Sequence, residues 1–275
     1  MNASRSQDTA GPQHSDIVVL GNTNVDLTSY LPHEIREGET VIASGFQAGM
    51  GGKGANQAVA MTRAGATVSF IGRIGDDSFG QMMLEGLTGE GINLESLEQV
   101  PGDSANATIW VQEDGANRIA VYLGVSAEMT PETADAGVSK NSTAKFFVSQ
   151  LELSQDVILA GMKAAKSCGM TAVLNTAPYS AIHPDILQNT DWLIANEGEL
   201  ATLLAALGVE SDLEAPLEQL AEAIPDWSRT IGANLVVTMG SSGALGYQEG
   251  SSAHFVQAPS VTAVTDGACT KWALE

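Results

Sequence analysis

Short apolar runs alternate with longer amphipathic segments along most of this chain. The run DIVVLGN at 16–22 is almost continuously apolar, and TVSFIG, AKFFVSQLE, MTAVLNTAP, DWLIAN and ANLVVTMG repeat the pattern further on. Helical patterns separate these runs, at 53–64, 77–91, 155–167, 197–208 and 217–224. This alternation is typical of βαβ units that build a mainly parallel sheet. The sequence therefore predicts one three-layer α/β domain over residues 16–275, after a disordered tail at 1–15.

Three other segments alternate apolar and polar residues more evenly. They are ETVIAS at 39–44, ATIWVQ at 107–112 and NRIAVYL at 117–123, and the last two flank the turn EDGA. Period-two alternation around a turn indicates a hairpin with one face in water. We therefore predict a small β-sheet, with strands near 39–46 and 107–123, that forms a lid beside the main sheet.

The composition excludes several classes of partner. Thirty-three acidic residues against twelve basic ones give a net charge of −21, which repels nucleic acid and anionic membrane surfaces. The two cysteines provide no disulfide framework and no metal knuckle. The first fifteen residues are polar, unlike a signal peptide, and no apolar run approaches the roughly 20 residues that a membrane helix needs. A cytoplasmic location is the simplest expectation.

Polar residues follow nearly every predicted strand. In an open α/β sheet, ligands collect at the carboxyl ends of the strands, so these positions are candidates for a site. Taken singly, each also suits a turn or a helix cap. They are Asn22, Asn24, Asp26, Glu152, Asn175, Asn196, Glu199, Thr238 and Gly240. Asn24 and Asp26 are expected on a loop after the first strand.

The stretch GMGGKGANQA at 49–58 is the most unusual in the chain. Gly49, Gly51 and Gly54 match G-x-G-x-x-G, the pattern of a dinucleotide-binding turn, so a dinucleotide-dependent oxidoreductase is one hypothesis. These glycines, however, follow a lid segment and not the first parallel strand. Another interpretation is a helix N-terminus where backbone N–H groups, Lys53 and Asn56 contact a polyhydroxy or anionic ligand. A turn that only allows tight helix–strand packing is the third.

Several segments together resemble a known family. VVLGNTNVDLTSYLP, GETVIASGFQAGMGGKGANQAVAMTRAGATVSFIGRIGDDSFG, SQLELS, NTAPYS, ANEGELATLL and VVTMGSSGALGY are similar, in order, to the ribokinases of the PfkB family of sugar kinases. The resemblance implies ATP-dependent phosphorylation of the 5-hydroxyl of ribose, with Mg²⁺ and a monovalent cation such as K⁺ as cofactors. It also implies a lid that often mediates a homodimer.

The same resemblance assigns roles to residues of this chain. Asp26 would accept hydrogen bonds from two sugar hydroxyls, and Glu199 would organise Mg²⁺ through water. The sugar-binding set is Asn24, Asp26, Gly51, Gly52, Lys53, Asn56 and Glu152. The ATP-binding set is Asn196, Thr238, Gly240 and Gly243.

The sequence departs from the family after about Val264. The family's catalytic signature reads approximately D-T-x-G-A-G-D, whereas this chain reads VTAVTDGACTKWALE at 261–275, with Thr270 where the basic aspartate belongs. Threonine is a poor proton acceptor near neutral pH. We therefore expect no catalytic aspartate, no C-terminal helices, no monovalent-cation site and an impaired kinase. A catalytically inactive sugar- or nucleoside-binding protein is one alternative, and a kinase for adenosine, a fructose-type sugar or 2-deoxyribose is another.

Overall fold

A computed structural model describes residues 15–260 and divides them between two sheets and seven α-helices. The strands are β1 (Ile17–Leu20), β2 (Asn24–Leu31), β3 (Gly45–Gly51), β4 (Val68–Gly75), β5 (Asn93–Val100), β6 (Asn106–Gln112), β7 (Asn117–Tyr122), β8 (Phe146–Gln150), β9 (Thr171–Asn175), β10 (Trp192–Asn196), β11 (Asn234–Thr238), β12 (Gly243–Tyr247) and β13 (His254–Gln257). The helices are α1 (Lys53–Arg63), α2 (Ser78–Gly89), α3 (Pro131–Lys140), α4 (Gln155–Ser167), α5 (Pro184–Gln188), α6 (Glu197–Ala206) and α7 (Leu217–Ile231).

The large sheet has nine strands in the order β13-β12-β11-β10-β9-β8-β1-β4-β5. All pairs from β11 to β5 are parallel, and only β12 and β13 add antiparallel strands at one edge. The carboxyl ends of β1, β8, β9, β10 and β11 therefore meet at the same edge of the sheet. The predicted mainly parallel α/β architecture is confirmed.

Helices cover the large sheet on both faces. On one face, Val18, Leu20 and Phe147 pack in a cluster with residues of α3 and α4, and a second cluster holds α6 and α7 against β10 and β11. On the opposite face, Val19 and Phe70 pack with residues of α1 and α2. Because side chains alternate along a strand, this second face also carries Gln150, Asn175, Asn196 and Thr238 at its polar edge.

The small sheet, called the lid sheet below, has the order β3-β2-β6-β7. Strands β6 and β7 lie where the sequence predicts the lid hairpin. The predicted strand at 39–44 is wrong: this segment has no strand, and β3 starts at Gly45. Asn24 and Asp26 also lie on a strand, β2, and not on the predicted loop. Furthermore, β2 pairs with β6 in parallel, so the lid sheet is mixed.

The last residue of the predicted tail, Ser15, is folded against the domain. Ser15 is 5% exposed and its hydroxyl is 2.9 Å from the hydroxyl of Ser69, so it belongs to the domain. The remaining tail residues lie outside the described residues. So do Val264, Thr270 and the predicted C-terminal departure from the family.

Candidate active site

Asp26 is a buried carboxylate on the inner part of the lid sheet. It is 7% exposed, and its Oδ1 accepts a hydrogen bond of 2.7 Å from Nδ2 of Asn24. The Oδ1 of Asn24 in turn accepts a bond of 3.4 Å from Nδ2 of Asn22. Burial raises the pKa of the Asp26 carboxyl above its ordinary value, while the bond from Asn24 and the positive charge of Lys53 oppose that rise. The side chains of Asn22 and Asn24 thus hold the Asp26 carboxylate in a fixed orientation.

The glycines at 51–54 bring the backbone close to this carboxylate. A Cβ at Gly51 would lie 2.4 Å from Oδ2 of Asp26, so only glycine leaves room for the carboxylate there. Gly52 has φ +91°, and a Cβ on it would lie 2.7 Å from the carbonyl oxygen of Asn22. A Cβ on Gly54 would likewise lie 2.7 Å from the Cα of Gly21. The glycines therefore seat the start of α1 against the β1–β2 connection and beside Asp26.

Glu152 caps the helix that these glycines introduce. Gly52 offers no side-chain cap to α1, and Oε2 of Glu152 accepts a hydrogen bond of 2.8 Å from the backbone N–H of Lys53. A carboxylate at a helix N-terminus satisfies a donor that has no partner within the helix and interacts favourably with the helix dipole. Burial is the main cause that raises the pKa of Glu152; Lys53 opposes the rise and Asp26 adds to it. Asp26, Lys53 and Glu152 therefore form one electrostatic group, and Asn56 lies on α1 one turn beyond Lys53.

Two apolar residues stand in register with Asp26 across the lid sheet. Ala107 on β6 is the pairing partner of Asp26, and Val121 on β7 is the partner of Ala107. Partners in register share one face of a sheet, so the carboxylate is flanked by small apolar side chains. Sequence reasoning missed this pair, although both residues lie in the predicted lid hairpin.

A second polar cluster lies at the ends of β10 and β11. Asn196 and Glu199 form a reciprocal capping box at the start of α6, with bonds of 2.8 Å and 3.1 Å. Oε2 of Glu199 also accepts a hydrogen bond of 3.2 Å from the hydroxyl of Thr176. Thr238 is the register partner of Asn196, and its hydroxyl donates to the carbonyl oxygen of Ala195. A helix N-terminus with two adjacent strand ends is an arrangement suited to phosphate groups.

The two glycines after β11 have different reasons to be glycine. Gly243 has φ +136°, and a Cβ there would lie 2.0 Å from the carbonyl oxygen of Val256, so close strand packing requires it. Gly240 has φ +53° and no atom within 4 Å of a Cβ. Gly240 therefore faces open space beside the second cluster, while the lack of a side chain at Gly243 serves the β12–β13 pair.

The described residues offer only a sparse set of metal ligands. Between 15 and 260, no group of three or more His, Cys, Asp or Glu side chains is placed to hold a metal ion. A Mg²⁺ ion bound mainly by phosphate oxygens and water needs only one or two protein carboxylates. Glu199 fits that requirement.

None of the helices between residues 15 and 260 combines the length and the apolar character that a membrane span requires.

The glycine pattern does not fit a dinucleotide turn. A dinucleotide fingerprint follows the first strand of a βαβ unit, whereas Gly49 and Gly51 lie within β3 of the lid sheet. The described structure instead places Asn24, Gly51 and Lys53 around the Asp26 carboxylate. Sequence reasoning missed Gln57 and Gln150, which lie directly behind this group.

Proteins named ribokinase and deoxyribokinase are among the known proteins that this chain is similar to. The chain is 34% identical over 230 residues to the bifunctional ribokinase/ribose-5-phosphate isomerase A of Fructilactobacillus sanfranciscensis, and it spans 83% of its own length but 42% of that longer protein. It is 34% identical over 257 residues to ribokinase of Schizosaccharomyces pombe, covering 90% of this chain and 80% of that protein. It is also 33% identical to deoxyribokinase of Salmonella typhi, covering 84% and 74%.

A solved structure shares the same architecture. Arabidopsis thaliana ribokinase complexed with ribose and ATP superposes with a TM-score of 0.79 and 27% identity, over 89% of this chain and 78% of that one. The family model described as pfkB family carbohydrate kinase matches residues 14–267. Because that match spans most of the sequence, the chain belongs to the PfkB family of carbohydrate kinases.

Proposed function

We propose that this chain is an ATP-dependent sugar kinase that acts on the 5-hydroxyl of ribose. The observation that carries the proposal is the group of Asp26, Lys53 and Glu152, in which two partly desolvated carboxylates both interact with the charge of one lysine and Asp26 packs directly against Gly51. Carboxylates are strong acceptors for sugar hydroxyls. The relatives named ribokinase, which are about one-third identical, support ribose as the sugar.

The two polar clusters would divide the work of phosphoryl transfer. Asp26 and Asn24 would hold sugar hydroxyls and so fix which oxygen faces the phosphate, because positioning supplies much of the catalysis in this reaction. The N-terminus of α6 and Gly240 would receive the phosphates of ATP. Mg²⁺, when bound with ATP, would neutralise phosphate charge, and Glu199 would hold it through water. Because ATP is the donor, we expect the enzyme to work in the cytoplasm.

The proton acceptor for the sugar hydroxyl is the feature in which this sequence differs from the family. The resemblance to the family puts Thr270 where an aspartate acts as base, and threonine is a poor base near neutral pH. We therefore propose impaired transfer by this sequence. The second candidate function is sugar binding without transfer, which the same residue identity favours.

One pair of measurements tests both candidates. Isothermal titration with ribose, with and without Mg²⁺ and a non-hydrolysable ATP analogue, measures binding, and ribose-dependent release of ADP measures transfer. Saturable ribose binding with slow ADP release supports the impaired kinase, and binding without release supports the binding protein. Absence of ribose binding contradicts both candidates.

The sugar itself needs a separate comparison. Deoxyribokinase is among the relatives, so 2-deoxyribose is the main competitor of ribose. We expect the affinity for ribose to exceed that for 2-deoxyribose, adenosine and fructose. Competition against ribose in the same titration measures the order, and a tighter site for 2-deoxyribose would reassign the substrate.

We also propose that two copies associate through the lid sheet. Large apolar side chains are exposed on and beside it: Ile42, Phe46, Trp110, Ile119, Val121 and Tyr122. The strand register puts Phe46, Trp110 and Tyr122 on one face of this sheet, and exposed apolar side chains that share a face commonly mark interfaces between proteins. Sedimentation equilibrium should give a dimer, which Phe46→Glu dissociates. Val256→Glu is a control on an exposed apolar residue of the other sheet. A wild-type monomer refutes the proposal.

A further inference from the structure

Three carboxamide side chains form a continuous hydrogen-bonded chain next to the group of Asp26, Lys53 and Glu152, which is called the sugar-side cluster below. Oε1 of Gln57, on α1, accepts a hydrogen bond of 2.7 Å from Nε2 of Gln150. Nε2 of Gln57 donates a bond of 3.1 Å to Oδ1 of Asn175. Gln150 and Asn175 are register partners at the carboxyl ends of β8 and β9. Gln57 therefore bridges the two strand ends from the helix above them.

A backbone carbonyl fixes the direction of this chain. Nδ2 of Asn175 donates a bond of 3.1 Å to the carbonyl oxygen of Ile194, which can only accept. The amide oxygen of Asn175 must therefore face Gln57, the NH₂ group of Gln57 must face Asn175, and its oxygen must face Gln150. Oε1 of Gln150 is then the free end, buried against Gly21 with no hydrogen-bond partner among the described residues. None of the three amides can flip alone without opposing like groups.

The hydrogen-bonded chain continues to the second polar cluster, at Asn196 and Glu199. The backbone N–H of Thr176 donates a bond of 3.0 Å to the same carbonyl oxygen of Ile194, and its hydroxyl donates one of 3.2 Å to Oε2 of Glu199. That oxygen also accepts the hydrogen bond from the backbone N–H of Asn196 in the capping box. Asn175 and its neighbour Thr176 thus join Gln57 to the N-terminus of α6.

The start of α1 is bonded to the same part of the large sheet. The backbone N–H of Lys53 bonds to Glu152, and Gln57, four residues later, bonds to Gln150. The two partners, the donor Gln150 and the acceptor Glu152, belong to the end of β8 and the residues just after it. The beginning of α1 is therefore bonded to the large sheet at two residues, Lys53 and Gln57. Gln57 also bonds to Asn175, on the path to α6.

We propose that Gln57 is a positioning residue that couples the sugar-side cluster to the N-terminus of α6 through Asn175 and Thr176. The proposal rests on the proposed function, because it assigns sugar to one end and the phosphates of ATP to the other. A sugar that draws Lys53 towards itself shifts α1, and the bond from Gln57 transmits that shift to Asn175. Binding at one end then changes affinity at the other.

The first test uses the protein without ligands. Gln57→Glu keeps the oxygen that accepts from Gln150 and replaces the donor that faces Asn175 by an oxygen. Gln155→Glu is the matched control, because Gln155 likewise accepts from one partner and donates to a carbonyl, at His183 and Ala181. Hydrogen exchange of peptides covering 192–200 should be about fivefold faster or more in the first variant and unchanged in the control. Equal protection in both variants would refute the proposed connection.

The second test measures coupling between ligands. The ratio of ribose dissociation constants with and without Mg²⁺ and a non-hydrolysable ATP analogue should be about fivefold or more in the wild-type protein. It should approach one in Gln57→Glu and keep the wild-type value in Gln155→Glu. A ratio of one in the wild type, or an unchanged ratio in Gln57→Glu, overturns the proposal. A purely structural role of Gln57 would lower stability without changing this ratio.

A second variant covers the case in which Gln57→Glu does not fold. Asn175→Asp leaves the acceptor for Gln57 in place and replaces the donor to Ile194 by an oxygen, so it breaks the next bond in the chain with α1 intact. It should give the same changes in exchange and in coupling. Failure of the wild type to bind ribose refutes the proposed function alone, because the exchange experiment still decides whether the connection exists.

Discussion

Replacing Gly51 by alanine should displace the Asp26 carboxylate. Gly51 does not have a positive φ, so alanine can adopt its backbone conformation. The new Cβ would, however, lie 2.4 Å from Oδ2 and 2.5 Å from Oδ1 of Asp26. The carboxylate must move by about 1 Å to recover an ordinary van der Waals separation. That movement also weakens its bond of 2.7 Å from Asn24.

The cost follows from the bonds that the movement breaks. A hydrogen bond to a charged group contributes about 1.5–3 kcal/mol. Loss of the two hydrogen bonds that we propose between Asp26 and sugar hydroxyls should therefore weaken ribose binding by about 3–6 kcal/mol. This corresponds to about 10²- to 10⁴-fold in the dissociation constant. Overpacking of the buried site should lower the free energy of unfolding by about 1–3 kcal/mol. Ribose binding should therefore suffer more than folding does.

Gly49→Ala supplies the matched control. Gly49 lies two residues away on β3, is the register partner of Asp26, and has no atom within 4 Å of a Cβ. Isothermal titration should show weak ribose binding by Gly51→Ala and wild-type binding by Gly49→Ala. Thermal unfolding of both variants measures the stability change. Wild-type affinity in Gly51→Ala, or equal losses in both variants, would show that Asp26 does not hold the sugar.

Three further predictions concern charge and backbone. Ribose affinity should fall as the pH is lowered through the raised pKa values of Asp26 and Glu152, because protonation removes an acceptor; a flat titration profile from about pH 4 to 8 contradicts this. A raised pKa means that the folded state holds its proton longer than the unfolded state, so the Asp26 carboxylate lowers stability above its folded pKa. Asp26→Asn should then lose ribose binding at neutral pH without a fall in Tm, and a clear fall would contradict the assigned cause. Gly243→Ala should lower the free energy of unfolding by about 2 kcal/mol or more, and Gly240→Ala by about 1 kcal/mol, in urea titrations; equal losses would refute the role of Val256.

The parallel sheet could be predicted from sequence, but the strand that carries Asn24 and Asp26 could not. Asn24 and Asp26 are typical of turns, and they follow β1 closely, so a loop was the natural prediction. The segment NVDLTSYL is a strand because Val25 is fully buried, in a cluster with Ile74 and Met83, and because β3 and β6 flank it. Tertiary pairing outweighed local preference here.

The start of β3 was misplaced for a related reason. ETVIAS is rich in residues that favour strands, whereas GFQAGMG is rich in glycine, which disfavours them. The glycine-rich segment nevertheless pairs with β2 from Tyr30 to Asn24, and Gly51 is needed beside Asp26. Pairing with β2 and the close approach of Gly51 to Asp26, neither of which local propensity records, determine where this strand lies.

Helix α7 also extends beyond its prediction, which ended before Pro225. A proline inside a helix costs about 3 kcal/mol and usually ends it. The helix continues to Ile231 because Ile224, Trp227 and Ile231 all lie on its buried face. Burial of each such side chain contributes about 1.5–3 kcal/mol, which together exceeds the cost of the proline.

The connection between β1 and β2 has a consequence for how the lid sheet can move. Gly21, Asn22 and Thr23 are buried, and they join β1 of the large sheet directly to β2 of the lid sheet. At about 3.3 Å per residue, Leu31 is about 23 Å from Asn24, whereas Asp26 is only about 7 Å away. A rotation of about 10° around this joint would shift Leu31 by about 4 Å and Asp26 by about 1 Å. Such a rotation would therefore move the far end of the lid sheet several times as far as the Asp26 carboxylate, which lies close to the rotation axis.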